Sequence, residues 1–518
     1  MAVQGAGTSS LHAGSGAETA TPVQLGRDVA LVTPGGYRTA CAAAAIQLRF
    51  DPNGLVTTCC KSLQPLGHIG RQRLGEIWEG EVRRRIEAAL EQVDYSVGCQ
   101  RCGREIQQEG RAVSYAAIHD QWADHLTEDR ASRAWPVRME MNLSNACNLQ
   151  CIQCDGESSS AIRLHREGRP PLPKAYGDEF FEDLVPFLPH LDRIVFAGGE
   201  PFLGAENFRV WDLIVEHAPH IDCMVVTNAT QWTPRIESLL DRLRFSFVFS
   251  LDGITKDTYE AIRVGSDFGS VMANVARFCE YARRVGTTAS VNHCLMPQNV
   301  HEFGELLVWA EQAGLVVNVS VVRTPSHASI ASLDAEEIVR IDALLEAQEA
   351  QVLPQLVLNR GTWLGERARI RSWAEGSADP DRSEVQTVLW FRCAGEGPCD
   401  ERSARAELQA YSADGTVHEF SIGPDDRIIR CRAGFLDDAE SLVGRSVRDL
   451  TNAVTDAFGN MDHYEVRSTS DDRVDAWAEF GGSPARITTV AVRDGSGWAD
   501  EARLLLAFGD PAAGVPLT

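Results

Sequence analysis

Residues 145–155 read NACNLQCIQCD and set Cys147, Cys151 and Cys154 in a C-x3-C-x2-C run. Thiolates so spaced are metal ligands, and the all-cysteine sites for zinc and for iron–sulfur clusters take four. A set of three means either a distant fourth partner, as in a zinc site closed by His or Asp, or a metal left open. A four-iron cubane on three thiolates has one iron free for an exchangeable ligand. Further on, FAGGEPFLG places Gly198, Gly199 and Glu200 in a turn after an apolar run. Glycines there admit close backbone approach to a ligand, and Glu200 supplies an anionic acceptor. A second set, Cys41, Cys59, Cys99 and Cys102, offers four separated thiolates, enough to close a cubane or bind zinc; its spacing alone prefers zinc.

The elements that must carry these residues alternate between short β-branched runs and amphipathic helical stretches from Val137 to about Pro325. The pattern predicts a parallel α/β unit with strands at 137–143, 192–198, 222–228, 245–253, 289–296 and 316–322, in a partial or complete barrel. Side chains alternate along a strand. One face collects Glu140 and Asn142, Ser250 and Asp252, Ser290, Asn292 and Cys294, and Asn318 and Ser320. A helix-covered parallel sheet should be apolar on both faces, so this repeated polar face predicts a lumen that holds a ligand. Two of its residues are candidates for chemistry: Asp252 as an acid or base, with turn capping as its other role, and Cys294 as a hydrogen-atom donor or a small packing residue.

The 518 residues suffice for several domains. Residues 1–37, rich in Ala, Gly, Ser and Thr, read as a disordered leader rather than a signal peptide. Residues 38–110 form a cysteine-bearing unit with a hairpin at LRFDPNGLVTTCC and a helix over LGEIWEGEVRRRIEAALEQV. Residues 135–325 are the barrel, 326–390 a helical linker region, and 391–518 a β-rich domain punctuated by ADGT and GPDD. No apolar run approaches the ~18 residues of a membrane span. Fourteen cysteines, several in C-x2-C or CC pairs, fit metal ligation in a reducing cytoplasm. A net charge of −24 would repel a polyphosphate backbone, so neither nucleic acid nor membrane is an expected partner.

Taken together, Cys147-x3-Cys151-x2-Cys154 after the first strand and GGEP after the second resemble the radical S-adenosylmethionine (radical SAM) superfamily, over roughly residues 137–325. The resemblance implies a partial (β/α)6 TIM-like barrel and a [4Fe-4S] cluster on the three cysteines. SAM completes the open iron, and Gly198, Gly199 and Glu200 bind its methionyl amino group. Reductive cleavage then yields a 5′-deoxyadenosyl radical that abstracts hydrogen from substrate. Ser250 and Asn292 are similar to strand positions that contact SAM's carboxylate or ribose, and Arg263 resembles a carboxylate partner, with a surface ion pair as its other reading. Gln153 departs from the pattern, since an aromatic residue usually precedes the last cysteine.

Cys41-x12-Gly54-x4-Cys59, then PLGHIGRQRLGEIWEGEVRRR and Cys99-x2-Cys102, resembles the auxiliary-cluster domain known as SPASM, or twitch in its shorter form. The resemblance implies one auxiliary [4Fe-4S] cluster, fully ligated, with Cys60 the alternative to Cys59. In most relatives this unit follows the barrel; here it precedes it. The segment around Cys393, Cys399 and Cys431 echoes it without the C-x2-C, as a degenerate second auxiliary domain or as packing cysteines.

The expected activity is a radical SAM oxidoreductase, cytoplasmic, that oxidises, cross-links or epimerises a ribosomal peptide or another specialised-metabolite precursor. A flavodoxin or ferredoxin is its expected electron donor. The other readings are a maturase modifying a side chain of a partner enzyme, an aminoglycoside or small-molecule dehydrogenase or epimerase, and a non-catalytic zinc-binding protein.

Overall fold

The structure is a computed structural model that describes residues 30–33, 36–62, 64–109, 111, 114–126, 134–322 and 325–376, with six further strand segments between 418 and 508. The expected leader lies almost wholly outside the described residues, as do Cys393 and Cys399.

After a short antiparallel pair, Leu31–Val32 with Arg38–Thr39, come three strands: β1 (Gln47–Phe50), β2 (Leu55–Thr57) and β3 (Pro65–His68). The β1–β2 turn explains Gly54. Asp51 Oδ1 accepts the amides of Asn53 and Leu55 at 2.9 and 3.0 Å, and the chain reverses through Gly54 at φ +88, a conformation that favours glycine. The helix expected over residues 74–93 is two helices, Leu74–Trp78 and Glu81–Glu91, with Gly80 as the N-cap of the second. A third, Gln100–Glu109, starts between Cys99 and Cys102.

The six expected barrel strands are β4 (Arg138–Met141), β5 (Arg193–Phe196), β6 (Asp222–Thr227), β7 (Arg244–Ser250), β8 (Ala289–Leu295) and β9 (Val316–Val321). They pair in parallel in chain order, with helices such as Ala205–His217, Phe268–Val285 and Phe303–Ala313 between them. The fold is α/β, a partial barrel. Its sheet has nine strands in the order β9-β8-β7-β6-β5-β4-β1-β2-β3. The amino-terminal unit is therefore part of the barrel sheet: β1 pairs in parallel with β4, Arg49 opposite Glu140.

Leu48, Phe50, Met139, Met141, Ile194, Phe196, Val225, Phe245, Phe247, Phe249 and Val291 face the helices in one apolar core. Toward its carboxyl end the lumen face is polar on its flanks and apolar in the middle, while Ser246 and Asp222 are hydrogen-bonded at the amino end of the middle strands. Arg49, Glu140 and Asn142 line one side and Ser250, Asn292, Cys294 and Ser320 the other, with Val195, Met224, Val226 and Val248 between. After β9 come helices Ala335–Val352 and Arg360–Ala374.

The carboxy-terminal strands are β10 (His418–Ile422), β11 (Ile428–Arg432), β12 (Met461–Ser470), β13 (Arg473–Phe480), β14 (Ser483–Arg493) and β15 (Ala499–Phe508). They form an antiparallel sheet in the order β11-β10-β15-β14-β13-β12, in which Cys431 falls opposite Phe420.

Candidate functional site

The three-cysteine loop leaves the carboxyl end of β4 and is pinned along its length. Ser159 caps the helix Ser160–His165 and donates its hydroxyl to the Leu149 carbonyl at 2.6 Å. Ser160 Oγ accepts the Cys147 amide at 3.1 Å, and Asn145 Nδ2 donates to the Gly156 carbonyl at 2.8 Å. The GGEP turn laces onto the same loop: the Gly199 amide donates to Ser144 O at 3.2 Å and the Glu200 amide to Ala146 O at 2.6 Å. A Cβ on Gly199 would lie 2.3 Å from the Ala146 carbonyl oxygen, and Gly198 sits at φ +109. The close approach that these glycines allow is thus toward the cysteine loop itself.

Glu200 is buried with its carboxylate turned to β6, where it accepts Thr227 Oγ1 at 2.8 Å and the Asn228 and Phe202 amides at 2.7 and 3.1 Å. Burial outweighs these bonds and lifts its carboxyl to about 7. Asn228 also reaches the sulfur set, its Nδ2 standing 3.9 Å from Cys147 Sγ, while the Leu149 amide is at 3.5 Å. Neither Thr227 nor Asn228 was singled out from the sequence; the polar pair closing the apolar run DCMVV was the available signal.

On the other side of the loop, Arg263 is 7 % exposed, so a surface ion pair is not its role. Its Nη2 is 2.7 Å from Asp252 Oδ2 and its Nη1 3.9 Å from Cys151 Sγ. The Cys151 thiol is pulled down, first by a hydrogen bond with Cys154 and then by the Arg263 charge. Asp252, 0 % exposed, has both oxygens engaged: Oδ2 also accepts Gln153 Nε2 at 2.6 Å, and Oδ1 accepts the Cys294 amide at 2.8 Å. Asn299, another buried residue that the sequence did not flag, donates to the carbonyls of Asp252 and Cys294 at 2.9 and 2.8 Å. Cys294 lies within reach of Gln153, and burial pushes its thiol up to about 12. Ser250 ends β7 on the lumen face, and Asn292 accepts Ser320 Oγ at 2.9 Å beside it. Gln153 therefore fills the usual aromatic position as a hydrogen-bonding clasp on Asp252.

The fit to a cluster and SAM can be tested on what this rim leaves unsatisfied. Among the described residues, Asn142 Oδ1, Gln153 Oε1 and Arg263 Nε are buried without a hydrogen-bond partner. Buried polar atoms are normally paired, so two acceptors and a donor around three free thiols fit a polar ligand bearing both kinds of group.

The second set also converges. Cys41, Cys59, Cys99 and Cys102 are free and lie within electrostatic reach of one another, each thiol raised first by burial and most then by its neighbours, Cys41 to about 12. Cys60 points elsewhere. It keeps accessible surface but is crowded by protein, next to Glu140, Arg49 and the Tyr115 hydroxyl. Four crowded thiols, on which the charges of Arg111, Arg49 and Lys61 weigh less than burial, fit a group that would deprotonate and neutralise them. Among the described residues, no three or more His, Cys, Asp and Glu side chains are drawn together closely enough to hold a metal ion as they stand, and no helix is long and apolar enough to cross a membrane.

The model of the radical SAM superfamily matches residues 141–310, and that of SPASM, an iron–sulfur cluster-binding domain, matches residues 41–103. The chain thus carries a radical SAM domain and, ahead of it, a SPASM domain, a pair that implies a [4Fe-4S] cluster with SAM and auxiliary iron–sulfur binding. Among curated relatives it is 27% identical over 190 residues to mycofactocin maturase MftC of Mycolicibacterium smegmatis, covering 36% of this chain and 45% of that protein. It is 32% identical over 134 residues to a probable GTP 3′,8-cyclase of Methanocella arvoryzae, covering 24% and 37%. The matches thus span less than half the length of either relative. Among solved structures, Streptococcus suis SuiB bound to precursor peptide SuiA aligns at 14% identity over 60% of this chain and 69% of that one, with a TM-score of 0.31.

Proposed function

We propose that this chain is a radical SAM enzyme in which Cys147, Cys151 and Cys154 hold the SAM-binding [4Fe-4S] cluster and Cys41, Cys59, Cys99 and Cys102 one auxiliary cluster. When bound, the first cluster and SAM supply a 5′-deoxyadenosyl radical that takes hydrogen from substrate. The observation that carries the reading is the three-thiol loop laced to the GGEP turn, with Asn142, Gln153 and Arg263 presenting unpartnered polar atoms around it.

In this reading the division at 38–110, 135–325, 326–390 and 391–518 stands as proposed, and the residues of 135–325 do the following. Gly198, Gly199 and Glu200 set the loop and offer the turn to the methionyl amino group, while Ser250, Asn292 and Arg263 receive the carboxylate and ribose. Asp252, with both oxygens held, positions Gln153 and Arg263 instead of moving protons. Cys294, kept as a thiol by burial, is the lumen's hydrogen-atom donor. Cys294→Ala that leaves turnover and product stereochemistry intact removes that role.

The substrate proposed is a ribosomal peptide or another specialised-metabolite precursor, oxidised, cross-linked or epimerised, with a flavodoxin or ferredoxin as electron donor. The name of the mycofactocin maturase relative supports a maturation reaction, whereas the probable GTP cyclase relative favours a small molecule as the second reading. Anaerobic protein incubated with SAM and reductant should form 5′-deoxyadenosine, and unchanged formation in Cys147→Ala overturns the assignment. Mass change in a peptide encoded beside the gene, against none in small-molecule candidates, decides the substrate.

A further inference from the structure

Arg263 and Asp252 lie just outside the sulfur set, yet one of them touches it. Arg263 follows the helix Lys256–Ile262 as its C-cap and forks inward, one amino group 3.9 Å from Cys151 Sγ and the other 2.7 Å from Asp252 Oδ2. The pair is 7 % and 0 % exposed. Water screens neither charge well, and the field of each is felt over several ångströms. Such a buried pair is poor value as a stabiliser, because desolvation offsets its attraction and an apolar pair of the same volume often serves folding as well. Its surroundings nevertheless fix it from three elements. Gln153 from the cysteine loop and the Cys294 amide from β8 hold the carboxylate, while Asn299 holds the backbone on both sides of the joint. What the arrangement secures is a fixed distance between one cation, one anion and one sulfur.

A cation donating to a cluster sulfur stabilises the more negative, reduced state, and hydrogen bonds to the sulfurs are among the recognised controls on cluster potential. A carboxylate further from the sulfur acts in the opposite sense. We infer that the Arg263–Asp252 ion pair sets the reduction potential of the cluster held at Cys151, Arg263 making it easier to reduce and Asp252 restraining that effect. The inference rests on the reading that Cys147, Cys151 and Cys154 carry a cluster.

The test is a redox titration of the full-length, anaerobically reconstituted protein followed by electron paramagnetic resonance, the relevant signal being the one whose shape changes when SAM is added. Absence of any such signal in the unaltered protein defeats the cluster reading itself. With the signal present, Arg263→Gln is expected to lower the reduced-to-oxidised ratio about tenfold at the unaltered protein's midpoint, a negative shift of about 59 mV for a one-electron couple. Arg263→Lys, which keeps the charge, should recover most of it. Asp252→Asn should shift the midpoint the other way. A purely architectural pair would move both variants in the same direction or neither, and either result overturns the inference. If Arg263→Gln fails to retain iron, Asp252→Asn alone decides: a positive shift supports the inference, and a zero or negative one overturns it.

Discussion

The two cysteine sets sit at opposite ends of one pair of strands. The trio leaves the carboxyl end of β4. The quartet gathers at the amino end of its neighbour β1, where Cys41 precedes the strand and Cys59 follows the antiparallel β2, next to Thr58, whose carbonyl accepts Gln47 Nε2. A four-residue strand spans about 13 Å at the usual rise. The surroundings differ as much as the positions. Two sulfurs of the trio have a donor aimed at them, Asn228 at Cys147 and Arg263 at Cys151, and unpartnered polar atoms border the loop. The quartet consists of buried thiols that raise one another. In the proposed function, three thiols bordered by unpartnered polar atoms correspond to a metal left open for a ligand, and four thiols to a metal closed off.

The largest effects should fall on the trio. Replacing Cys147, Cys151 or Cys154 by Ala is expected to abolish 5′-deoxyadenosine formation, because the cofactor carries the chemistry, with iron content falling by one cluster. Cys99→Ala or Cys102→Ala should also cost one cluster of iron but leave SAM cleavage measurable while product vanishes. Equal loss of cleavage in both sets would erase the proposed distinction.

Gly199→Ala should follow. The added methyl meets the Ala146 carbonyl oxygen at 2.3 Å, inside van der Waals contact with backbone, and overpacking of this kind costs about 1–3 kcal/mol. A lowered melting temperature together with lost SAM cleavage is expected, and Gly265→Ala, whose Cβ would find its nearest neighbour at 3.6 Å, separates contact from backbone strain because it carries only the strain of φ +94.

Opposite responses to acid are expected at the two ends. His119, buried in the amino-terminal unit near Arg111 and Arg138, is pushed down to about 3 by burial and then by those charges. Its unfolded state binds the proton that the folded state refuses, so stability is lost as pH falls from 6.5 toward 3. Glu200 is raised to about 7, so its folded state holds the proton longer, and stability is lost instead as pH rises from 4.5 to 7. His119→Leu should flatten the acid limb of the unfolding free energy and Glu200→Gln the neutral limb, each by a few kcal/mol on the order set by 1.36 kcal/mol per unit. Denaturant titrations across pH 4–8 check both.

All six barrel strands were legible because each is a local run of alternating or β-branched residues, and the observed bounds differ by only a few residues at either end. The trio, the GGEP turn and the Cys99-x2-Cys102 pair were legible for the same reason: their spacing is short. What local pattern does not carry is who meets whom across the chain. That β1 adds directly to β4, that Glu200 turns to Thr227 and Asn228, and that Arg263 goes inward to Asp252 are contacts between residues far apart in sequence. Arg263 read equally well as a surface residue because the helix before it is amphipathic and only the fold decides which way its end points. The lumen was predicted from polar alternation, and its apolar middle at Met224, Val226 and Val248 escaped because those residues suit either face of a strand.

The parallel pairing of β1 with β4 also governs how the chain can be cut. Removing the amino-terminal unit to isolate the barrel would strip the hydrogen-bonding partner from Arg138–Met141 and leave its backbone as a bare sheet edge. Exposed edges of this kind recruit strands from other molecules. A truncated form beginning near residue 134 should therefore associate and precipitate, so the cluster-bearing segment serves the barrel as an edge guard as well as a metal carrier.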